Sequence, residues 1–404
     1  MYYLYPKIKK KNYMAGIYRL TGIVKHYDWG GTSFIPSLLQ VENKEKKPFA
    51  EYWMGTHPLG DSLVDTGGSS PTPLSVIANT LPYLFKAQDV KEMLSIQTHP
   101  SKTVAGIEFA KENATGIAPD APNRNYKDDN HKPEMLIALG DFWLLHGFKP
   151  SEELVYTLLN VMELRELLPI FNELGYAGLY KHVMEMPQAE VNRMLQPLVD
   201  NIATVNKEVT PDKDDEDFWT ARAAQTFTRG TDLDRGIFSI YFFNVVHLKK
   251  GEGVFQDAGV PHAYLEGKCV EIMANSDNVL RGGLTSKHID VAELLRLVKC
   301  EPTFPNIITG EAAGEQERVY KTPAPDFQLS VFELEAGDTI SFIPAGVEIV
   351  LLTEGAVELD DDEVAIKLQV GQPSAVVFPG QPVYIAASAK STVFRAATGV
   401  NKGE

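Results

Sequence analysis

Gln97, His99, Glu134 and His262 are residue types that can hold a divalent metal ion. They stand in three short stretches, Gln97-Thr98-His99-Pro100, Asn130-His131-Lys132-Pro133-Glu134-Met135 and Gly259-Val260-Pro261-His262-Ala263-Tyr264. Gln97 and His99 are two positions apart, the spacing that puts both side chains on one face of a strand. Two imidazoles, a carboxylate and an amide oxygen can surround a zinc-like ion and leave room for substrate. A single histidine is more often a core or surface residue, and His57, His146, His182, His247 and His288 carry no further signal. His99 and His262 stand out because each follows a strand-like run and lies beside a turn-forming proline. Gln97 is the least usual ligand, since zinc prefers nitrogen and sulfur but accepts oxygen; its bland reading is a polar residue on a strand.

Arg281 leads the stretch Gly282-Gly283-Leu284-Thr285-Ser286-Lys287, a loop expected to open into a helix over Ile289 to Val298. Its guanidinium stays charged and its fork suits a carboxylate, a phosphate or an enediolate oxygen. The neighbouring glycines let backbone come close to a ligand. Alone, it would read as a surface arginine.

These residues must be positioned by a chain of 404 residues, long enough for two or three domains. Residues 15–150 and 231–318 are rich in Gly, Pro and aromatics, and runs such as Ile237-Phe238-Ser239-Ile240-Tyr241-Phe242-Phe243 read as strands. Between them, over 151–230, Leu154, Leu158, Val161, Leu164 and Leu167, then Val191, Met194, Leu195 and Leu198, recur at helical spacing. Ser151, Glu152 and Glu153 look like a helix start, and the polar run Pro211 to Asp217 like a solvated loop or another start. Residues 319–404 return to strand texture. Gly251 precedes Pro261-His262-Ala263-Tyr264 much as Gly371 precedes Pro382-Val383-Tyr384, with valine where the first copy has histidine. The expected fold is therefore mainly β with a helical insertion: two jelly-roll β-barrels, one metal-bearing and one not, plus an α-helical domain.

A net charge of −16 argues against nucleic acid as a partner, while leaving a locally basic cleft possible. No run approaches the roughly 20 apolar residues of a membrane span. Lys7, Lys9, Lys10 and Lys11 lack an apolar stretch behind them, so the N-terminus is not a secretory signal, and Met14 is a candidate natural start. Two cysteines, Cys269 and Cys300, fit a reducing cytoplasm rather than a disulfide scaffold. Oligomeric state is not readable; a monomer fits.

Together the motifs resemble the type I phosphomannose isomerases. The resemblance rests on His26-Tyr27-Asp28-Trp29-Gly30-Gly31, Glu51-Tyr52-Trp53-Met54-Gly55-Thr56-His57-Pro58, Leu94-Ser95-Ile96-Gln97-Thr98-His99-Pro100, the Asn130 to Met135 stretch, Val260 to Tyr264, and Asn275-Ser276-Asp277-Asn278-Val279-Leu280-Arg281-Gly282-Gly283-Leu284-Thr285, in that order. It covers about residues 20–300, and the C-terminal stretch matches the family's second cupin-like domain only in texture. The resemblance implies one zinc ion per chain on Gln97, His99, Glu134 and His262. It places Arg281 at the reacting end of the sugar, with Lys132, His131, Glu271 and Asp277 nearby, and Lys86, Ser95 and Trp29 on the substrate side, Lys86 and Ser95 toward the phosphate. The implied reaction interconverts mannose 6-phosphate and fructose 6-phosphate through an enediol, with a small sugar phosphate as partner and neither nucleic acid nor membrane.

Such an exchange moves a proton between carbons 1 and 2, opens the sugar ring and stabilises an oxyanion. Glu271 and Lys132 are both candidates for the proton carrier, Glu271 slightly ahead, and His131 suits ring opening. Two rival readings compete. Two histidines and a carboxylate also describe the iron site of a cupin oxygenase or hydrolase. A sugar-phosphate-binding protein without turnover would use the same scaffold, although no expected group is missing here.

Overall fold

The computed structural model describes residues 16–206, 212–314 and 316–399. Its two longest strands, Glu134–Phe148 and His262–Ala274, pair antiparallel at the centre of a ten-stranded sheet. Phe243–Leu248 flanks Glu134–Phe148, while Tyr83–Val90, Glu51–His57 and Ile23–Lys25 extend the other side. The short strands Gly253–Gln256, Ile96–Thr98 and Leu280–Gly283 attach to this path. Strand alternation gives the sheet two characters. Glu134 and Glu271 belong to one face, and the intervening Met135, Ile137, Val270 and Ile272 to the other.

That second face packs on the C-terminal segment. Met135, Ile137, Val270 and Ile272 share one buried cluster with Leu329, Val331, Ile349, Leu351 and Phe394. Burying each such side chain contributes about 1.5–3 kcal/mol, so the C-terminal segment completes the core behind the polar face. Its strands form a four-stranded sheet and, joined by Ile17–Thr21, Leu63–Val64 and Thr72–Pro73, a nine-stranded one, around a further cluster that includes Val350, Leu359, Ile385 and Val393. The described strands are mostly antiparallel, and none of the three sheets closes into a ring. Ile17–Thr21, read from sequence as part of the first β segment, instead pairs with Ser374–Val377 in the nine-stranded sheet. The repeated glycine–proline pattern has a structural counterpart. Gly251 and Gly371 both adopt positive φ (84° and 94°), and strands begin at His262 and Val383, each directly after its proline.

The insertion is helical as its periodicity requires. Helices Ser151–Asn160, Leu168–Glu185, Gln188–Val205 and Glu216–Phe227, with a 3₁₀ turn at Met162–Leu167, bury Leu154, Leu158, Leu164 and Leu167 together with Val191, Met194, Leu195 and Leu198. Pro150, rather than Ser151, occupies the N-cap of the first helix, and Glu152 and Glu153 lie in its first turn. The polar run becomes a helix start, with the Asp215 carboxylate accepting from Asp217 N at 2.9 Å. Pro211 and the basic N-terminal extension fall outside the described residues.

One strand expectation is wrong. Gly236–Phe242 is a helix, and only Phe243 begins a strand. All seven helical residues are buried, so no polar face marks a helical period. A short, uniformly apolar run has no periodicity with which to tell helix from strand. The later helix spans Val291–Leu297, shorter than its expected bounds, because the Asp290 side chain caps it by accepting from Glu293 N at 3.0 Å. Among the described residues, no helix is long and apolar enough to cross a membrane.

Candidate metal centre and substrate cleft

Antiparallel pairing brings the distant motifs together. Gln97 lies opposite His262 on one side and Arg281 on the other, and residues directly opposite in an antiparallel pair share a face. His99 follows at the end of the same short strand, and Glu134 opens the long strand next to His262–Ala274. The result is a triad. Ligand atoms of His99, Glu134 and His262 all lie within 4.8 Å of one another, and all three residues are buried.

The tautomers suit a metal. His99 Nδ1 lies 2.8 Å from the Asn278 carbonyl and His262 Nδ1 lies 3.1 Å from the Val260 carbonyl. A carbonyl only accepts, so each Nδ1 carries the hydrogen and each Nε2 keeps a lone pair for coordination. Those Nε2 atoms face opposite oxygens of one carboxylate, at 3.5 Å from Glu134 Oε1 and 3.3 Å from Glu134 Oε2. His99 Nε2 is buried and has no hydrogen-bond partner, an expense that a bound cation removes. Burial pulls the His99 imidazole down to about 4 despite Glu134, so it is neutral at pH 7 as a ligand must be. For Glu134, burial alone would raise the carboxyl, but Lys132, His99 and His262 outweigh it and hold it well below the usual carboxylate range. Lys132 Nζ sits 3.0 Å from Glu134 Oε1.

Two residues that sequence reasoning passed over stabilise this arrangement. Asn278 is fully buried, and its amide donates to the carbonyls of Asp128 and Asn130, both at 2.8 Å. It thereby fixes the backbone whose carbonyl orients His99. His146, opposite His262 in the sheet, is buried and bonded through Nδ1 to Gln256 Oε1 at 2.8 Å. Burial, then His262, pulls His146 down to about 4. Asn278 lay inside a quoted motif without a role; His146 had no signal beyond its type.

Further along the polar face is a buried ionic network. Lys86 Nζ donates to Glu271 Oε1 at 2.8 Å and lies 3.7 Å from Glu51 Oε1. Glu271 Oε1 also accepts from Gln88 at 3.3 Å, and its Oε2 from the Tyr264 hydroxyl at 2.7 Å. Burial raises the Glu271 carboxyl, with Lys86 opposing. Asp277 sits 3.5 Å from His57 Nε2. His131 turns elsewhere: its Nε2 is 2.8 Å from Asp326 Oδ2, a residue of the C-terminal segment.

A cleft of about 520 Å³ is lined by Trp29, Ser95, Gln97 and Arg281. Trp29 stacks on Tyr27 with ring centroids 5.8 Å apart. Phe227, at the end of a helix of the insertion, forms part of the wall. Lys287 lines the cleft too and was missed from sequence, although it closed the quoted glycine loop. Burial lowers the Arg281 pKa, and its Nε is buried without a hydrogen-bond partner. Burial and repulsion from Arg281 and Lys127 lower that of Lys287. Asp28 and Glu92 also line the cleft, Glu92 paired with Arg222 at 3.2 Å, while Arg281 and Lys287 have no ion-pair partner among the described residues. Two unpaired cations there suit an anionic ligand.

A metal triad beside an anion-selecting cleft on this β framework is the class of site found in metal-dependent sugar-phosphate isomerases. Residues 17–151 match the family model for the phosphomannose isomerase type I catalytic domain. The mannose-6-phosphate isomerase of Salmonella typhimurium is 34% identical over 90% of this chain and 96% of its own. That of Homo sapiens is 34% identical over 84% of this chain and 88% of its own. The crystal structure of the Salmonella typhimurium enzyme bound to fructose 6-phosphate and zinc superposes with a TM-score of 0.83 at 31% identity, covering 96% of this chain and all of that one. The chain belongs to the type I phosphomannose isomerase family.

Proposed function

We propose that this protein is a zinc-dependent isomerase interconverting mannose 6-phosphate and fructose 6-phosphate. The observation that carries the proposal is the buried His99–Glu134–His262 triad beside the unpaired Arg281. Gln97, on the same face as His262 and Arg281, is the fourth ligand in this reading. Zinc, when bound, supplies a Lewis acid for the substrate oxygens. Arg281 adds fixed positive charge where the enediolate develops.

The phosphate lies with Ser95 and Lys287 in the cleft. Lys86 is a weaker candidate for that end, because Glu271 already holds it. Glu271 is likewise a poor proton carrier, with both oxygens taken by donors. Lys132, beside the ligand carboxylate, is better placed to move the proton between carbons 1 and 2. The Asp277–His57 pair offers an acid and a base for ring opening, whereas His131 is engaged by Asp326. An iron oxygenase would share the triad but has no need of two unpaired cations.

The two β regions, 15–150 with 231–318 and 319–404, are read as cupin-like jelly rolls around a helical domain at 151–230. The matched turns at Gly251 and Gly371 support the duplication, and Ile17–Thr21 crosses between the two units. A cytoplasmic location is supported by two free thiols, Cys269 and Cys300. A coupled assay for fructose 6-phosphate tests the reading: the native protein turns over and Glu134→Ala loses metal and activity together. Fructose 6-phosphate formation undiminished in Glu134→Ala would refute it.

A further inference from the structure

A short strap, residues 229–234, lies between the helix Glu216–Phe227 of the insertion and the helix Gly236–Phe242 that leads into the sheet. On one side it is tied to the helix Gln188–Val205. Gln188 Nε2 donates to the Leu233 carbonyl at 2.8 Å, and Asn192 accepts from Leu233 N at 3.0 Å and donates to Asp232 at 3.1 Å. Arg229 and Asp232 exchange backbone hydrogen bonds across the turn, at 3.0 and 2.9 Å.

On its other side the strap grips the loop that joins Arg281 to Lys287. The Asp234 carboxylate accepts from Leu284 N at 2.8 Å and from Thr285 N at 3.2 Å. Arg229 donates to the Thr285 carbonyl at 2.8 Å. Thr285 Oγ1 in turn accepts from Lys287 N at 3.0 Å. Thr285 is therefore held at both of its peptide groups and passes that constraint to the lysine. The grip is needed because Leu284 has a φ of +51°, a conformation disfavoured for a residue with a side chain. Close packing reinforces it, since a Cβ at Gly283 would lie 2.5 Å from Gly236 Cα.

We infer that Asp234 and Arg229 are positioning residues for the phosphate end of the substrate: they hold the Arg281–Lys287 loop in its binding shape and make the helical insertion part of the active site. Neither touches substrate. The inference rests on the isomerase reading above, and on Lys287 as the phosphate-binding cation.

The test uses the full-length, zinc-loaded protein and three variants: Arg229→Gln, Arg229→Lys and Asp234→Asn. Arg229 is exposed, so its replacement leaves folding intact even if Asp234→Asn fails to fold. Loss of one charge-assisted hydrogen bond corresponds to roughly a tenfold effect. Arg229→Gln is expected to raise KM for mannose 6-phosphate about tenfold, and to weaken competitive inhibition by inorganic phosphate in the same proportion. Zinc content and melting temperature stay at the native values, and Arg229→Lys recovers most of the loss. Asp234→Asn, if folded, follows the same pattern. Unchanged KM and unchanged phosphate inhibition in Arg229→Gln would overturn the inference, as would a loss confined to kcat with metal. Absence of turnover in the native protein would instead sink the isomerase reading, a result separable from any variant.

Discussion

Lys86 Nζ donates to Glu271 Oε1 at 2.8 Å across directly paired strands, with both side chains buried. Burial alone would lower the lysine pKa, but Glu271 and Glu51 outweigh it and raise it, so the ammonium form is kept. The pair shapes the polar face on which the triad stands. Removing one partner of a buried ion pair leaves the other charge uncompensated.

Lys86→Met should therefore destabilise the fold by about 3 kcal/mol, measured by urea unfolding. The double variant Lys86→Met with Glu271→Gln should recover part of that loss. A single variant as stable as the native protein would show that the network does not hold the site.

Arg281→Ala should leave zinc bound and lower turnover by about 10²–10³, the usual cost of one electrostatic partner of the transition state. Metal analysis alongside steady-state kinetics checks both halves. Lys287→Met should act differently, raising KM for the phosphorylated sugar while kcat changes little, because its charge serves binding equally in ground and transition states.

The metal-free protein should lose stability as pH falls from about 6.5 to about 4. His99 and His146 both titrate near 4 in the folded state, pulled down mainly by burial, against 6.5 when unfolded. Within that window the unfolded chain binds more protons, so acid favours unfolding, and below about 4 these groups add no further slope. Each shift corresponds to about 3 kcal/mol at about 1.36 kcal/mol per unit. Unfolding midpoints at pH 7 and pH 5 measure the effect, and His146→Gln should make the slope shallower.

The parts of this site that the sequence displayed were those with a local chemical signature. His99 and His262 carried turn prolines, Glu134 a basic neighbour, and Arg281 two glycines. The helices of the insertion were visible because Leu154 to Leu167 and Val191 to Leu198 repeat at helical spacing. Gly236–Phe242 was not, because a run buried on every side has no period to read. The partnerships of His131 with Asp326 and of Asp234 with Thr285 depend on chain crossings that local pattern does not encode. Lys287 was overlooked for another reason: its importance comes from sharing a cleft wall with Arg281, and that proximity is a property of the fold.

Metal content measured together with mannose 6-phosphate turnover, before and after chelation and after restoring zinc, tests the central claim most directly. One zinc per chain, activity lost with the ion and regained on its return, is the predicted result. Full isomerase activity in a chelated, zinc-free sample would contradict it.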